Sequence, residues 1–202
     1  MTASSMIKKY IDAIPQGKAF PSSALRTLAT TDNIRQSLNR LVKAGEIKRV
    51  ARGVFVKPKQ SVLVGEILPS AFEIAASLSK STGETITVQG AEAVRILQLT
   101  TQVPMQLIFY TSGNTRVLKF NNTKVKLKHV NPSRLIAPGT TPGLVICALN
   151  FMGHENVTPH TIEKIKSLIS QKEFVETIRL TNKMPAWMAD IFYRYQKEHN
   201  HA

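Results

Sequence analysis

The chain has 202 residues, 43% of them hydrophobic and 20% charged, which is enough apolar material for a sizeable core in one or two domains. Its formal net charge of +14 favours polyanionic partners, nucleic acid before an anionic membrane. No apolar run is long enough for a transmembrane helix, and the N-terminal segment lacks the apolar stretch of a secretory signal. The single cysteine, Cys147, cannot form an internal disulfide and predicts a small core residue in a reducing cytoplasm.

The positive charge is concentrated in two parts of the sequence. Residues 1–60 contain 12 Lys and Arg against three Asp and Glu. Residues 115–135 contain six basic side chains and no acidic one. Neither cluster has the pattern of a basic amphipathic helix with aromatic residues, which is typical of membrane-surface binding, so no membrane partner is expected.

Three short helices are predicted before residue 45. The first covers about residues 5–14, because apolar residues recur there at helical spacing and Pro15 follows. The second lies in "FPSSALRTLA", with Leu25 and Leu28 facing inward. The third begins at Thr30 or Thr31 and ends before Gly45. Its predicted inward stripe is Ile34, Leu38, Leu41 and Val42.

Two short runs, "EIKRVA" and "GVFVKP", follow the third helix and are separated by Arg52-Gly53. They alternate apolar and basic residues, which predicts a half-buried β-hairpin. Three helices followed by a hairpin is the element order of a winged helix-turn-helix. In that arrangement the third helix enters the major groove of DNA and the wing lies along the backbone.

The candidate DNA-binding residues are those that this arrangement would expose. On the third helix, arginine and lysine can bind phosphate or guanine, and asparagine and glutamine can bind adenine. In the wing, the basic residues would hold phosphates. Asp32 is interpreted as a charge favoured by the helix dipole. The predicted recognition-helix residues are Asn33, Arg35, Gln36, Asn39, Arg40 and Lys43, and the predicted wing residues are Lys48, Arg49, Arg52 and Lys57. Exposed helix faces are usually polar, so a winged helix used only for protein contacts remains the alternative.

Residues 58–61 are interpreted as a linker between a winged-helix domain, residues 1–60, and a second domain, residues 62–202. The fold class predicted is α+β, with a small antiparallel sheet and a helical tail in the second domain. Turns at Gly113-Asn114 and Asn121-Asn122 predict hairpins between its strands. The predicted elements, in order, are a helix in "VGEILPSAFEIAASLSKSTG", a strand in "ETITVQG", a helix in "GAEAVRILQL", strands in "PMQLIFYTS", "TRVLKFN" and "KVKLKHV", and helices in "TPGLVICALNFMG", "TPHTIEKIKSLIS", "QKEFVETIRLTNKM" and "PAWMADIFYRYQKEH". In the closing helix, the predicted core residues are Trp187, Ile191, Phe192 and Tyr195, with an interface as the alternative.

The predicted strand "KVKLKHV" carries alternating lysines, and period 2 places them on one face. Like charges side by side repel, so the face is either solvated or a second contact for an anionic partner. Its members are Lys124, Lys126 and Lys128, which Arg116 and Lys119 of the preceding strand can join.

No catalytic constellation is recognisable in the sequence. There is no phosphate-binding glycine loop, no dinucleotide-binding fingerprint and no nucleophile elbow. The pair His199 and His201 is interpreted as a surface tail rather than a metal site. The sequence therefore predicts no enzyme activity, no cofactor and no metal.

The segment "GEIKRVARGVFVKP" resembles the wing of AbiEi-type antitoxin-like proteins, in which Arg-Gly-Val is followed by Tyr or Phe. Residues 88–136 resemble that family's second domain, with a Gly-Ala helix, a Leu-Thr-Thr-Gln-Val-Pro turn and a basic hairpin. Together the similar segments lie within about residues 5–136, and the tail "MPAWMADI" is similar less specifically.

The resemblance implies a bacterial, cytoplasmic transcriptional repressor that binds double-stranded DNA at its own operator. Some members of the family antagonise a cognate nucleotidyltransferase toxin, in the arrangement called a type IV toxin–antitoxin system. A winged helix often binds a palindrome as a homodimer, although no dimer surface is recognisable here. Two other interpretations stay open: a module whose basic faces bind an acidic partner protein, and an RNA-binding or nucleic-acid-processing protein.

Overall fold

The structure is a computed structural model that describes residues 2–61, 65–120 and 123–199. The fold class is α+β, as predicted. The chain forms two compact units, of which the first comprises residues 1–84 and 118–125 and the second residues 85–117 and 126–202. The first unit therefore extends past residue 60, where the sequence suggested a domain boundary.

The first unit begins with a helix, a strand, a 3-10 helix and a second helix, continues with two antiparallel strand pairs, and then has a third helix. Its elements are α1 (Ala3–Asp12), β1 (Ala19–Pro21), a 3-10 helix (Ser22–Leu25), α2 (Thr31–Lys43), β2 (Lys48–Ala51), β3 (Val54–Val56), β4 (Lys59–Ser61), β5 (Gly65–Ile67) and α3 (Ala71–Thr82). The core formed by the first of these elements contains Ile7, Ile11, Phe20, Leu25, Ile34, Leu38, Ile47 and Phe55.

Two predictions for the first unit are confirmed closely. The third predicted helix is α2, whose N-cap hydroxyl, that of Thr30, accepts a hydrogen bond from the amide of Asn33. The predicted hairpin is formed by β2 and β3, which pair antiparallel around the turn at Arg52-Gly53. Of the predicted inward stripe, Ile34 and Leu38 are buried, whereas Leu41 and Val42 are only partly buried.

Two other predictions for the first unit are wrong. The segment "FPSSALRTLA" does not form an α-helix. Its start is the strand β1, which pairs with β3 at Phe20 and Phe55, and only one 3-10 turn follows. The supposed linker contains β4, which pairs antiparallel with β5. In both places, pairing with a strand distant in sequence decides the backbone conformation, which local propensity does not report.

Helix α3 is bound to the β2–β3 turn by a hydrogen bond. Its N-terminus has a capping box between Ser70 and Glu73. At its other end, the Ser81 hydroxyl donates to the carbonyl oxygen of Gly53 at 3.1 Å, and the amide of Ser22 donates to the same oxygen at 2.8 Å. The turn of the hairpin is therefore held from two sides.

The second unit combines a four-stranded sheet with helices. Its elements, together with β8 and β9, whose residues are divided between the two units, are β6 (Ile86–Val88), α4 (Gly90–Ile96), β7 (Leu107–Thr111), β8 (Arg116–Phe120), β9 (Thr123–His129), a 3-10 helix (Pro132–Arg134), α5 (Thr141–Met152), a 3-10 helix (His154–Asn156), α6 (Pro159–Leu168), α7 (Gln171–Arg179), a 3-10 helix (Thr181–Lys183) and α8 (Ala186–His199). The strand order is β6-β7-β9-β8, so β7 neighbours β9 and the hairpin predicted at Gly113-Asn114 is wrong. The predicted turn at Asn121-Asn122 lies outside the described residues.

The helices of the second unit bury the apolar faces that the sequence predicted. In α8, Ile191, Phe192 and Tyr195 are buried, and Trp187 is partly buried. The ring of Phe174, from α7, lies 6.3 Å from that of Phe192 and 5.8 Å from that of Tyr195. Core packing is thus the role of this face of α8. Of the pair His199 and His201, the second histidine lies outside the described residues.

We expect Gly53→Ala to lower the free energy of unfolding by about 2–3 kcal/mol. The residue has φ +76°, and an added Cβ would lie 2.3 Å from the Ser81 hydroxyl oxygen, so the substitution combines backbone strain with loss of a hydrogen bond. The matched control is Gly45→Ala, which has φ +73° but no atom within 4 Å of its added Cβ, and should cost about 1 kcal/mol. Urea titration measures both, and equal losses would contradict the role given to Ser81.

Candidate nucleic-acid interface

Helix α2 presents a polar face because its apolar residues are used in the core. Ile34 and Leu38 are 5% and 2% exposed, and they lie one turn apart on the inward side. Asp32, in the first turn, lies 3.4 Å from Arg35, and both side chains are more than two-thirds exposed, so this pair adds little stability. All six predicted recognition-helix side chains are exposed, namely Asn33, Arg35, Gln36, Asn39, Arg40 and Lys43.

Two of the four predicted wing cations already bind groups within the chain. Lys48 forms an ion pair with Glu66 of β5. The Lys57 ammonium donates to the carbonyl oxygens of Ile11 at 3.4 Å and Asp12 at 2.8 Å, which are the last carbonyls of α1. The structure thus gives both lysines partners within the chain, and their predicted contact with phosphate stays a prediction.

The two arginines of the hairpin are the more available cations. Arg52 is exposed at the turn, beside the fixed Gly53. Arg49 is also exposed, and its Nε donates to the carbonyl oxygen of Ala51 at 3.4 Å, a long contact within its own strand. Both arginines retain most of their five donors for a partner outside the chain.

A groove of about 250 Å³ separates the start of α2 from the hairpin. Buried side chains form its base, those of Ile34, Leu38 and Phe55. Exposed side chains line its edge, those of Arg35, Asn39 and Arg49. The fold therefore brings two predicted helix residues and one predicted wing residue to the same groove. Ser22 and Thr31 also line it, and their small polar side chains gave no signal in the sequence.

The alternating lysine pattern on β9 is present as predicted. Val125 and Leu127 are buried, whereas Lys124 and Lys128 are exposed and Lys126 is partly exposed. On the neighbouring β8, Lys119 is exposed and Arg116 donates to the carbonyl oxygen of Asn114 at 3.0 Å. The lysines of β9 are thus accessible, and whether they contact an anionic partner stays a prediction.

Comparison with known protein families gives one family for this chain. Residues 6–178 match the family described as "Family of unknown function (DUF6088)". The chain belongs to the DUF6088 family. The comparison with curated proteins gives no match. The part of this DUF6088 member that matches begins in α1 and ends in α7, so it includes the polar face of α2 and the hairpin. Among the described residues, no helix is long and apolar enough to cross a membrane.

We expect Lys57→Ala to lower the free energy of unfolding by about 1 kcal/mol, since two carbonyl oxygens at the end of α1 lose a charged donor that is partly exposed. The control is Lys59→Ala, which removes the same charge from an exposed position on β4 and should have little effect. Thermal unfolding of both variants measures the difference. Equal stabilities would contradict the capping role of Lys57.

Replacing Lys124, Lys126 and Lys128 together by Gln should leave the thermal unfolding midpoint within a few degrees of wild type, because the three side chains lie on the solvent side of β9. The same variant should be titrated with duplex DNA beside the wild type. Unchanged DNA affinity identifies a solvated face, and a loss larger than that of a single lysine variant identifies a second contact with the polyanion.

Proposed function

We propose that the first unit is a winged helix-turn-helix that binds double-stranded DNA, with α2 as the recognition helix and the β2–β3 hairpin as the wing. The observation that carries this proposal is the face of α2. Six polar or basic side chains at the positions that a groove-binding helix needs are all exposed, next to a hairpin with two available arginines.

The proposed roles differ among the residues. Asn39 and Gln36 carry amides that can bind adenine through two hydrogen bonds, and Arg40 and Lys43 can bind guanine or phosphate. Arg49 and Arg52 of the hairpin would hold the phosphate backbone, which gives affinity and register without reading sequence. Four available cations predict that log K falls with log salt with a slope of about −4.

The biological part of the proposal rests on the resemblance to AbiEi-type antitoxin-like proteins. A member of that type would repress transcription from its own promoter in the bacterial cytoplasm, and it could also antagonise a nucleotidyltransferase toxin. The hairpin segment "GEIKRVARGVFVKP" and residues 88–136 carry this resemblance, and the hairpin forms the wing in our proposal. A winged helix bound to a palindromic operator would be a homodimer on DNA.

The deciding experiment titrates the protein against the DNA upstream of its own gene and against a scrambled duplex, at two salt concentrations. We expect the upstream DNA to bind at least about tenfold more tightly, since specific affinities exceed nonspecific ones by large factors. Asn39→Ala and Arg40→Gln should each reduce that preference by about 5-fold to 150-fold, which corresponds to one base contact.

The matched control is Lys164→Gln, which removes the same charge as Arg40→Gln from an exposed position on α6. It should leave the preference unchanged. Equal and salt-sensitive binding to both duplexes would contradict sequence recognition by α2. Absence of binding to either would contradict the DNA proposal as a whole, and would favour the acidic partner protein that a basic surface also suits.

A further inference from the structure

The second unit contains an open cavity of about 340 Å³ that the proposed DNA contact does not use. Four separate parts of the chain form it: the end of the sheet at Tyr110, one face of α5 with Cys147 and Asn150, the segment that carries Arg134 and the segment that carries Lys183. Its size is at the lower end of the range typical of small-molecule sites.

The charged side chains that line the cavity are all positive. Arg134 and Lys183 both line it, and none of the lining residues is acidic. Both side chains are exposed, and within the part of the chain that the structure describes neither forms an ion pair. Two cations without a counter-charge at one concavity raise the local concentration of anions.

Neutral hydrogen-bond donors lie beside these cations. Burial raises the pKa of the Tyr110 hydroxyl, which therefore stays protonated at neutral pH and can donate. Burial also raises the pKa of the Cys147 thiol to about 11, and this thiol donates to the carbonyl oxygen of Val88 at 3.4 Å. The Asn150 amide is exposed at the same wall. The Tyr110 hydroxyl and the Asn150 amide can therefore orient a polar ligand, and the protonated thiol of Cys147 adds no negative charge beside them.

The remaining wall is apolar, with Met184 and aliphatic or proline side chains. A ligand that fits must therefore be anionic at one end and apolar or aromatic at the other. An arginine and a lysine together suit a dianion, and the planar guanidinium can bind two phosphate oxygens at once.

We propose that this cavity binds a small phosphomonoester of mononucleotide size or smaller, with its phosphate held by Arg134 and Lys183 and its apolar part against Met184. The proposal is independent of DNA binding by the first unit, because all the residues that line the cavity belong to the second unit.

The chain carries a built-in reporter for this cavity, since Cys147 is its single cysteine. With its raised pKa, the thiol should react slowly with methyl methanethiosulfonate, even at about pH 8.5, and a ligand in the cavity should slow it further. The test uses the full chain without DNA. Calorimetry measures binding of adenosine monophosphate, inorganic phosphate and uncharged adenosine, and the rate of Cys147 modification locates the ligand.

We expect adenosine monophosphate to bind more tightly than inorganic phosphate, adenosine to bind much more weakly, and saturating adenosine monophosphate to slow modification of Cys147 at least about threefold. Arg134→Gln and Lys183→Gln should each weaken binding about tenfold or more, as expected for loss of a charged hydrogen bond. Both side chains are exposed, so the variants should fold, which their thermal unfolding checks. The control Lys164→Gln removes an equal charge outside the cavity and should change neither result.

Two results would overturn the proposal. One is the absence of binding heat with either phosphate compound, together with unchanged modification of Cys147. The other is binding that neither protects Cys147 nor depends on Arg134 or Lys183, which would place the anion on another basic surface of the chain. Neither result depends on whether α2 recognises an operator.

Discussion

The carbonyl oxygen of Gly53 accepts hydrogen bonds from the amide of Ser22 and the hydroxyl of Ser81, and the organisation of the first unit depends on this junction. It joins the turn of the hairpin to the 3-10 helix on one side and to α3 on the other. A left-handed backbone at residue 53 and the absence of space for a Cβ make glycine the residue that fits. The position of Arg52 at the turn, and so the geometry of the proposed wing, follows from this contact.

The positive charge of the first unit is divided between structure and surface. Lys18 pairs with Glu73 at 2.9 Å, Lys48 pairs with Glu66, and Lys57 caps α1, so these cations are attached to the fold. By contrast, Arg40 and Lys43 on α2 are exposed, and so is Arg52. The acidic residues thus neutralise lysines around the hairpin while the polar face of α2 keeps its charge. Net charge alone would overestimate the number of phosphates that the unit can hold.

Sequence patterns predicted the elements that local periodicity determines. The amphipathic α2, the buried residues of α8 and the alternation on β9 all depend on residues a few positions apart, and all are present. Pairing between strands that are far apart in the sequence leaves no such local pattern. Strand β1 exists because it pairs with β3, and β9 lies beside β7, a neighbour that the turn at Gly113-Asn114 did not indicate. The same reason applies to Lys57, because its contact with the end of α1 joins residues that are far apart in the sequence.

The cavity of the second unit shows the same limit for a binding site. Arg134 and Lys183 are far apart in the sequence, and each reads there as an ordinary exposed cation. They line the same cavity because the 3-10 helix after β9 and the segment before α8 both lie at the face of α5 that carries Cys147. Both cations line one concavity whose lining includes no acidic side chain, so an anion there would find two positively charged partners. The proposal therefore depends on the affinity of Arg134 and Lys183 for phosphate and not on the size of the cavity.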